Sequence, residues 1–267
     1  MTVFVHRRIM LSLAAVLTVS TVASPPAAST HSRTVSSPEG TITYRLQPLS
    51  GGLKELRATF DGPQLALLQK LNRVDLVHLA RLGSIVVPDR WDADDLTYSP
   101  LPLSYGWATA MPKALVVHQP AQVFGAYEFG RLVRWGPVSS GRREAPTPEG
   151  LFSLNWKSKG RTSTFNPDWF MPWYFNFGST EGLSFHEHPL PGRPVSHACV
   201  RLLAGDARWL YEWGEQWQLG ARGRMLEPGT PVLILGIFDF SANSPWRSEE
   251  FLAQQIELPP DPVPPPD

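Results

Sequence analysis

The chain has 267 residues, 42% of them hydrophobic and 18% charged, enough to bury a core of moderate size and too apolar for a disordered chain. Its 24 Lys and Arg residues balance 24 Asp and Glu residues, so there is no electrostatic case for nucleic acid or for polybasic membrane attachment. A single cysteine excludes a disulfide within the chain, and its thiol is either tolerated or used.

Arg7 and Arg8 precede an apolar run from Ile9 to Ala23 that ends in the small residues Thr21, Val22 and Ala23. This predicts a secretory signal peptide over 1–23 and an exported protein of the periplasm or cell envelope. Ser12, Thr18 and Ser20 interrupt the run, which falls short of the roughly 20 residues of a spanning helix. No stable membrane insertion is therefore expected once it is removed. Residues 24–40, SPPAASTHSRTVSSPEG, have no hydrophobic period and read as a disordered spacer in which His31 is inert.

From 41 to 47, TITYRLQ alternates as a strand does, and Leu65, Leu68 and Leu71 recur at helical spacing over 63–71. Residues 41–98 thus read as a small α+β region. The continuation LNRVDLVHLARLGSIVVPDRW resembles the second half of a LysM glycan-binding module, although leucines so spaced serve a plain core equally well. His78 within it reads as a core or boundary histidine. Pro, Asp and Ser mark 88–102 as a linker.

Strands are predicted over 114–117 and 122–127, followed by a Glu128-Phe129-Gly130 turn and returning strands, the hairpin pattern of a β-rich fold. His118 and Tyr127 lie in these runs and read as structural. Between 156 and 177 the chain is dense in aromatics that fill a core or line a groove for an extended peptide or sugar. If extended, Trp169, Met171, Trp173 and Phe175 share one face. Asp206 is predicted to cap a helix over 207–217 with Trp209, Leu210, Trp213 and Trp217 on one stripe. Residues 229–234 give a closing strand, and 239–267 read as a polar, Pro-rich tail without a core.

Residues 182–202, GLSFHEHPLPGRPVSHACVRL, hold Cys199 together with His186, His188 and His197. A thiol with a free pKa of about 8.5 becomes a nucleophile when a nearby imidazole accepts its proton or, as a cation, stabilises the thiolate. The alternative on spacing is tetrahedral zinc held by His186, His188, His197 and Cys199, which leaves Ser196 and Arg201 unexplained. HEH places both imidazoles on one side of an extended segment, so spacing does not choose between His186 and His188 as a base.

The run HEHPLPGRPVSHACVRL resembles the signature of YkuD-like L,D-transpeptidases at His186, Ser196, His197, Cys199, Val200 and Arg201. It departs at Ala198 and Glu187, where that family has or often has glycine. Upstream, Ser140-Gly141 and Thr147, Pro148, Gly150 and Phe152 match family elements, so the resemblance spans roughly 112–236, within a catalytic domain placed at 112–238. It implies a mainly β fold with α, an all-β-type catalytic domain that is β-sandwich-like with a packed helix, preceded by the small α+β region.

The implied chemistry is acyl transfer on peptidoglycan stem peptides, with no cofactor and no metal. Cys199 attacks the carbonyl before a terminal D-alanine, and an amine opens the resulting thioester. The resemblance makes His186 the base and gives His197, with Ser196, the task of orienting the loop. Arg201 would neutralise a substrate carboxylate or brace the turn, and His188 would contact the peptide at the rim. Backbone N–H groups around Ala198 would supply the oxyanion donors. Alanine at a glycine position with positive φ would cost about 1 kcal/mol, and the remaining reading is a catalytically disabled protein that only binds cell-wall peptides.

Overall fold

The computed structural model describes residues 30–33, 42–164, 166–178, 182–248, 251–252 and 254–260. The signal-peptide reading of 1–23 lies outside them, as does most of the predicted spacer. Among the described residues no helix is long and apolar enough to cross a membrane.

The first described element is a three-stranded antiparallel sheet of β1 (Thr30–Arg33), β2 (Ile42–Pro48) and β3 (Ser84–Pro88), with β2 in the middle. Strand β1 falls within the predicted spacer of 24–40. Backbone pairing such as Thr30 with Arg45 and Arg33 with Ile42 needs no hydrophobic period, only the open edge of β2. Between β2 and β3 come α1 (Gly52–Thr59), α2 (Gly62–Asn72) and the single turn α3 (Leu76–Leu79). The start of α2 is written in its sequence. Asp61 accepts from the Gln64 N–H while the Gln64 side chain returns to the Asp61 N–H, a full capping box with Pro63 in the first turn.

The second sheet has nine strands in the order β7, β14, β4, β5, β6, β11, β10, β9, β8. They are β4 (Ala114–His118), β5 (Val123–Glu128), β6 (Arg131–Ser139), β7 (Gly150–Ser153), β8 (Lys157–Thr162), β9 (Phe170–Asn176), β10 (Ser184–Glu187), β11 (Val200–Leu202) and β14 (Pro231–Leu235). The short strands β12 (Gln218–Leu219) and β13 (Met225–Glu227) form a separate ribbon. The turn between β5 and β6 holds Phe129 at φ 47 and Gly130 at φ 76, the double positive φ that matches the twist of a tight hairpin.

Strands β4 and β14 are nearly continuous apolar runs because both faces of the sheet are covered. Ala114 and Val116 belong to one core with Ile42, Tyr44, Leu71 and Val86 of the N-terminal region. Leu115 and Val117 belong to the opposite core with Phe175, Phe185 and Leu210. The 41–98 region and the large sheet therefore share a core. The predicted linker joins it through Tyr98 and Leu101, both fully buried. Trp135 is fully buried at the seam, its ring covered by the Lys70 ammonium at 5.3 Å and the Arg73 guanidinium at 5.6 Å.

Helix α4 runs over Ala204–Trp213, earlier than predicted, with Leu203 at its N-cap and no side-chain cap. Asp206 sits inside the first turn, buried and paired with Arg134 at 2.7 Å, so it braces the helix against β6 rather than capping it. Trp209 stacks on Trp213 at 5.0 Å, while Trp217 lies beyond the helix. The C-terminal segment is not a free polar tail. Trp246 and Leu252 are buried, Ile256 N–H donates to Pro100 O at 2.8 Å, and Tyr105 OH donates to Pro259 O at 2.6 Å. Two large apolar side chains sufficed to fold it back, despite its polar average.

Candidate active site

Strands β10 and β11 are parallel neighbours, with Phe185 opposite Val200 and His186 opposite Arg201. Cys199 immediately precedes β11, so its sulfur falls beside Ser184 at the start of β10. The two side chains meet, Ser184 Oγ to Cys199 Sγ at 3.2 Å. A cleft of about 300 Å³ opens over this point, lined among others by His186, His188, Ser196, His197, Cys199 and Arg201. All six side-chain positions singled out in the motif thus border one cavity, with Ala198 in its floor loop.

The loop carrying the thiol is held from behind. Ser196 N–H donates to Ser140 O at 3.0 Å and Arg142 N–H to Ser196 O at 2.9 Å. Thr147 Oγ1 accepts from Gly141 N–H at 2.9 Å and donates to Ala198 O at 2.8 Å. Gly141 has no alternative, because a Cβ there would strike Ala145 O and Thr147 N. The Ser140-Gly141 and Thr147 elements therefore work as a backbone clamp on the motif loop. Ala198 is held at φ 69, the left-handed conformation expected of a glycine position. Glu187 continues β10 and is not among the residues with positive φ, so a side chain is accommodated there without strain.

The Ala198 N–H donates to Ala145 O at 3.0 Å. That amide is committed to the clamp, which corrects its assignment as an oxyanion donor. The loop is stiffened by the same bond that takes the donor away.

Burial pushes the Cys199 thiol up, opposed by hydrogen bonds from the Ser184 side chain and backbone and by the Arg201 charge. Burial likewise pulls His186 down to about 4, against a hydrogen bond with Glu187 O and with help from His188 and Arg201. At neutral pH the cleft thus holds a thiol and a neutral imidazole rather than a preformed ion pair. His186 Nδ1 lies 3.0 Å from Glu187 O, a contact that orients the ring and does not engage Nε2. His188 is also pulled down to about 4 by burial, with Arg201 adding to it. Its ring meets His186 edge-on at 5.8 Å. His197 packs on Trp169 at 4.8 Å, and burial first, then Arg142 and Arg201, lowers its pKa.

Among the described residues no group of three or more His, Cys, Asp or Glu side chains converges as a metal site. The thiol's partner is a hydroxyl, and the His197 ring is engaged with an indole.

The aromatic segment is divided. Trp169, Met171 and Tyr174 line the cleft, whereas Phe175 is fully buried in the core below α4. The single-face stripe fails because Trp173, at φ 53, interrupts the alternation within β9. Sequence reasoning missed Ser184, the buried partner of the thiol, and Arg161 in the cleft wall. Ser184 stands two positions before His186 and so on its face of β10, a period-two signal that was readable. Arg161 on β8 lines the cleft with its guanidinium over Trp156 at 4.8 Å and Tyr174 at 5.5 Å, which no spacing to the motif foretold.

A parallel strand pair sets a half-buried thiol beside imidazoles in a cleft walled by aromatics and two arginines, an arrangement chemically able to act as a nucleophile. Residues 112–234 match the YkuD family model, the L,D-transpeptidase catalytic domain, so the resemblance carried by the motif extends over that segment. Solved structures similar to this chain include an L,D-transpeptidase from Mycobacterium smegmatis, at 20% identity, TM-score 0.38, covering 47% of this chain and 59% of that one. An L,D-transpeptidase from Stackebrandtia nassauensis is similar at 23% identity and TM-score 0.39, covering 48% of this chain and 58% of that one. One from Xylanimonas cellulosilytica shows 26% identity and TM-score 0.45, with 71% and 96% covered. The chain thus spans less than two thirds of the first two. A search of curated proteins returns no match.

Proposed function

We propose that the protein is an exported L,D-transpeptidase that acts on peptidoglycan stem peptides through a thioester on Cys199. The observation that carries this reading is the one cleft that Cys199, His186 and Arg201 all line, inside the segment that matches the catalytic-domain family. Cys199 Sγ attacks the carbonyl before the terminal D-alanine, His186 takes the thiol proton and passes it to the departing amine, and D-alanine leaves. A second amine then opens the thioester and regenerates the thiol. Because both groups are neutral at rest, proton transfer accompanies attack instead of preceding it. Arg201 favours the transient thiolate, and Arg161 and Arg201 offer charge to substrate carboxylates. With the Ala198 amide engaged, oxyanion stabilisation falls to other donors of the loop. His197 and Ser196 hold the loop, and His188 meets the peptide.

The test is incubation of the mature protein with tetrapeptide-bearing muropeptides and mass spectrometry of the products. Loss of D-alanine with a matching mass increase on Cys199 supports the reading. Unchanged muropeptides, with Cys199 unreactive to a carbapenem-type acylating probe, would leave a protein that only binds cell-wall peptides.

A further inference from the structure

The cleft over Cys199 is charged in one sense only. Its lining holds Arg161 and Arg201 and, among the described residues, no aspartate or glutamate, although the whole chain carries 24 basic and 24 acidic residues. A cleft walled by one sign of charge draws in the opposite sign. The two arginines stand at different places. Arg201 lies on β11, two residues after the thiol, beside the reacting atom. Arg161 lies on β8, at the far end of the strand order β11, β10, β9, β8, three strand spacings or about 14 Å across the sheet. It faces the cleft, because its cross-strand neighbour Met171 and Ser163, two positions on, line the same cavity.

Arg161 is held without being neutralised. Its guanidinium sits over Trp156 at 4.8 Å and Tyr174 at 5.5 Å, two rings that pack on each other at 4.9 Å. Among the described residues it enters no ion pair. Stacking restrains the planar group and leaves its in-plane N–H fork for a carboxylate. An extended peptide covers roughly 3.5 Å per residue. The 14 Å span, less the reach of the arginine side chain, therefore suits a carboxylate on the acyl side of the scissile bond. It does not suit that of the departing D-alanine, which adjoins the reacting carbonyl and falls nearer Arg201.

We infer that Arg161 is a specificity-determining residue of the cleft, selecting acyl donors with a free carboxylate on the acyl side of the scissile bond over donors in which that group is a carboxamide. The inference rests on the transpeptidase reading and deepens it by naming the class of acyl donor. A carboxamide has the same shape, but it carries no charge and turns an N–H group toward a guanidinium that has only N–H groups to offer. One hydrogen bond of the fork is then lost and an N–H left facing an N–H, which is how a built polar site rejects a near-isostere.

The test uses two synthetic stem tetrapeptides ending in D-alanine, alike except that every carboxyl other than the D-alanine terminus is free in one and a carboxamide in the other. D-alanine release should give a kcat/KM at least tenfold higher for the acid in wild-type protein. Equal values overturn the inference without any variant. In Arg161→Gln the acid-to-amide ratio should fall below about threefold. A merely structural role would slow both peptides alike and leave the ratio where it was, and that result also overturns the inference. Calorimetric titration of both peptides into Cys199→Ala protein, with and without Arg161→Gln, reads the same ratio in binding. If wild-type protein releases no D-alanine from either peptide, the transpeptidase reading fails by itself, while the titration still decides whether Arg161 distinguishes carboxylate from carboxamide.

Discussion

Each residue around Cys199 makes a separable contribution to the state of the sulfur. Removing the Ser184 hydroxyl deletes a partner that favours the thiolate. Ser184→Ala should therefore raise the thiol pKa further and slow iodoacetamide alkylation at pH 7 by roughly threefold to tenfold, half to one pKa unit. An unchanged pH profile would show that the contact is packing only. For the bases, His186→Gln should slow acyl transfer by about 100-fold or more, whereas His188→Gln should change apparent affinity for the peptide and leave the acylation step little altered. Single-turnover acylation of both variants distinguishes these roles. Ala198 is held at φ 69, so Ala198→Gly should stabilise the protein by about 1 kcal/mol, or roughly 2 to 4 °C in Tm. Calorimetry reads this directly, and a lower Tm would mean that the methyl group packs favourably enough to outweigh the backbone cost.

At the scale of elements, what was legible depended on whether the determining interaction was local. The hairpin at Phe129-Gly130, the capping box of α2 and strands β4, β5 and β14 were readable from residues a few positions apart. The candidate cleft was readable for the same reason, since one continuous stretch of chain, from β10 to the start of β11, contributes Cys199, His197, Ser196 and both candidate bases. Asp206 was misread because a partner 72 residues away, Arg134, claims its carboxylate. Trp246 and Leu252 were missed because sparse large side chains in a polar run matter only if a cavity awaits them elsewhere in the fold. Asp75 shows how one side chain can join elements. It caps α3 and accepts from Leu190 N–H at 2.8 Å across the seam. Burial tends to raise its pKa, but bonds from His78 and Leu190 outweigh this and hold it below its ordinary 3.8. A depressed folded pKa gives stability that is present above the ordinary value and lost as pH falls through the folded one. Hydrogen exchange at 74–80 should therefore quicken below about pH 4 before the large sheet opens. Asp75→Asn should bring the same loosening at neutral pH, and uniform protection across the range would refute the role.

At the scale of the whole molecule, the shared core means that the N-terminal region is not a detachable binding module. A fragment beginning at residue 104 would expose the faces of Val116, Val123 and Trp135 that Ile42, Tyr44 and Leu71 now cover. It should be insoluble or bind a hydrophobic dye strongly, and a well-folded fragment would contradict the packing described. The position of β14 carries a further consequence. This strand is formed by 231–235, yet it lies between β7 and β4 and pairs in parallel with β4 from Val232 opposite Leu115 to Leu235 opposite His118. Synthesis from the N-terminus therefore leaves a slot open inside the sheet until 231–235 have emerged from the ribosome. Until then β4 presents a bare apolar edge to any neighbouring chain. Premature termination anywhere before that strand yields a product whose sheet cannot close, and a helper that shields β4 during this interval would raise the yield of folded protein more than one that acts after release.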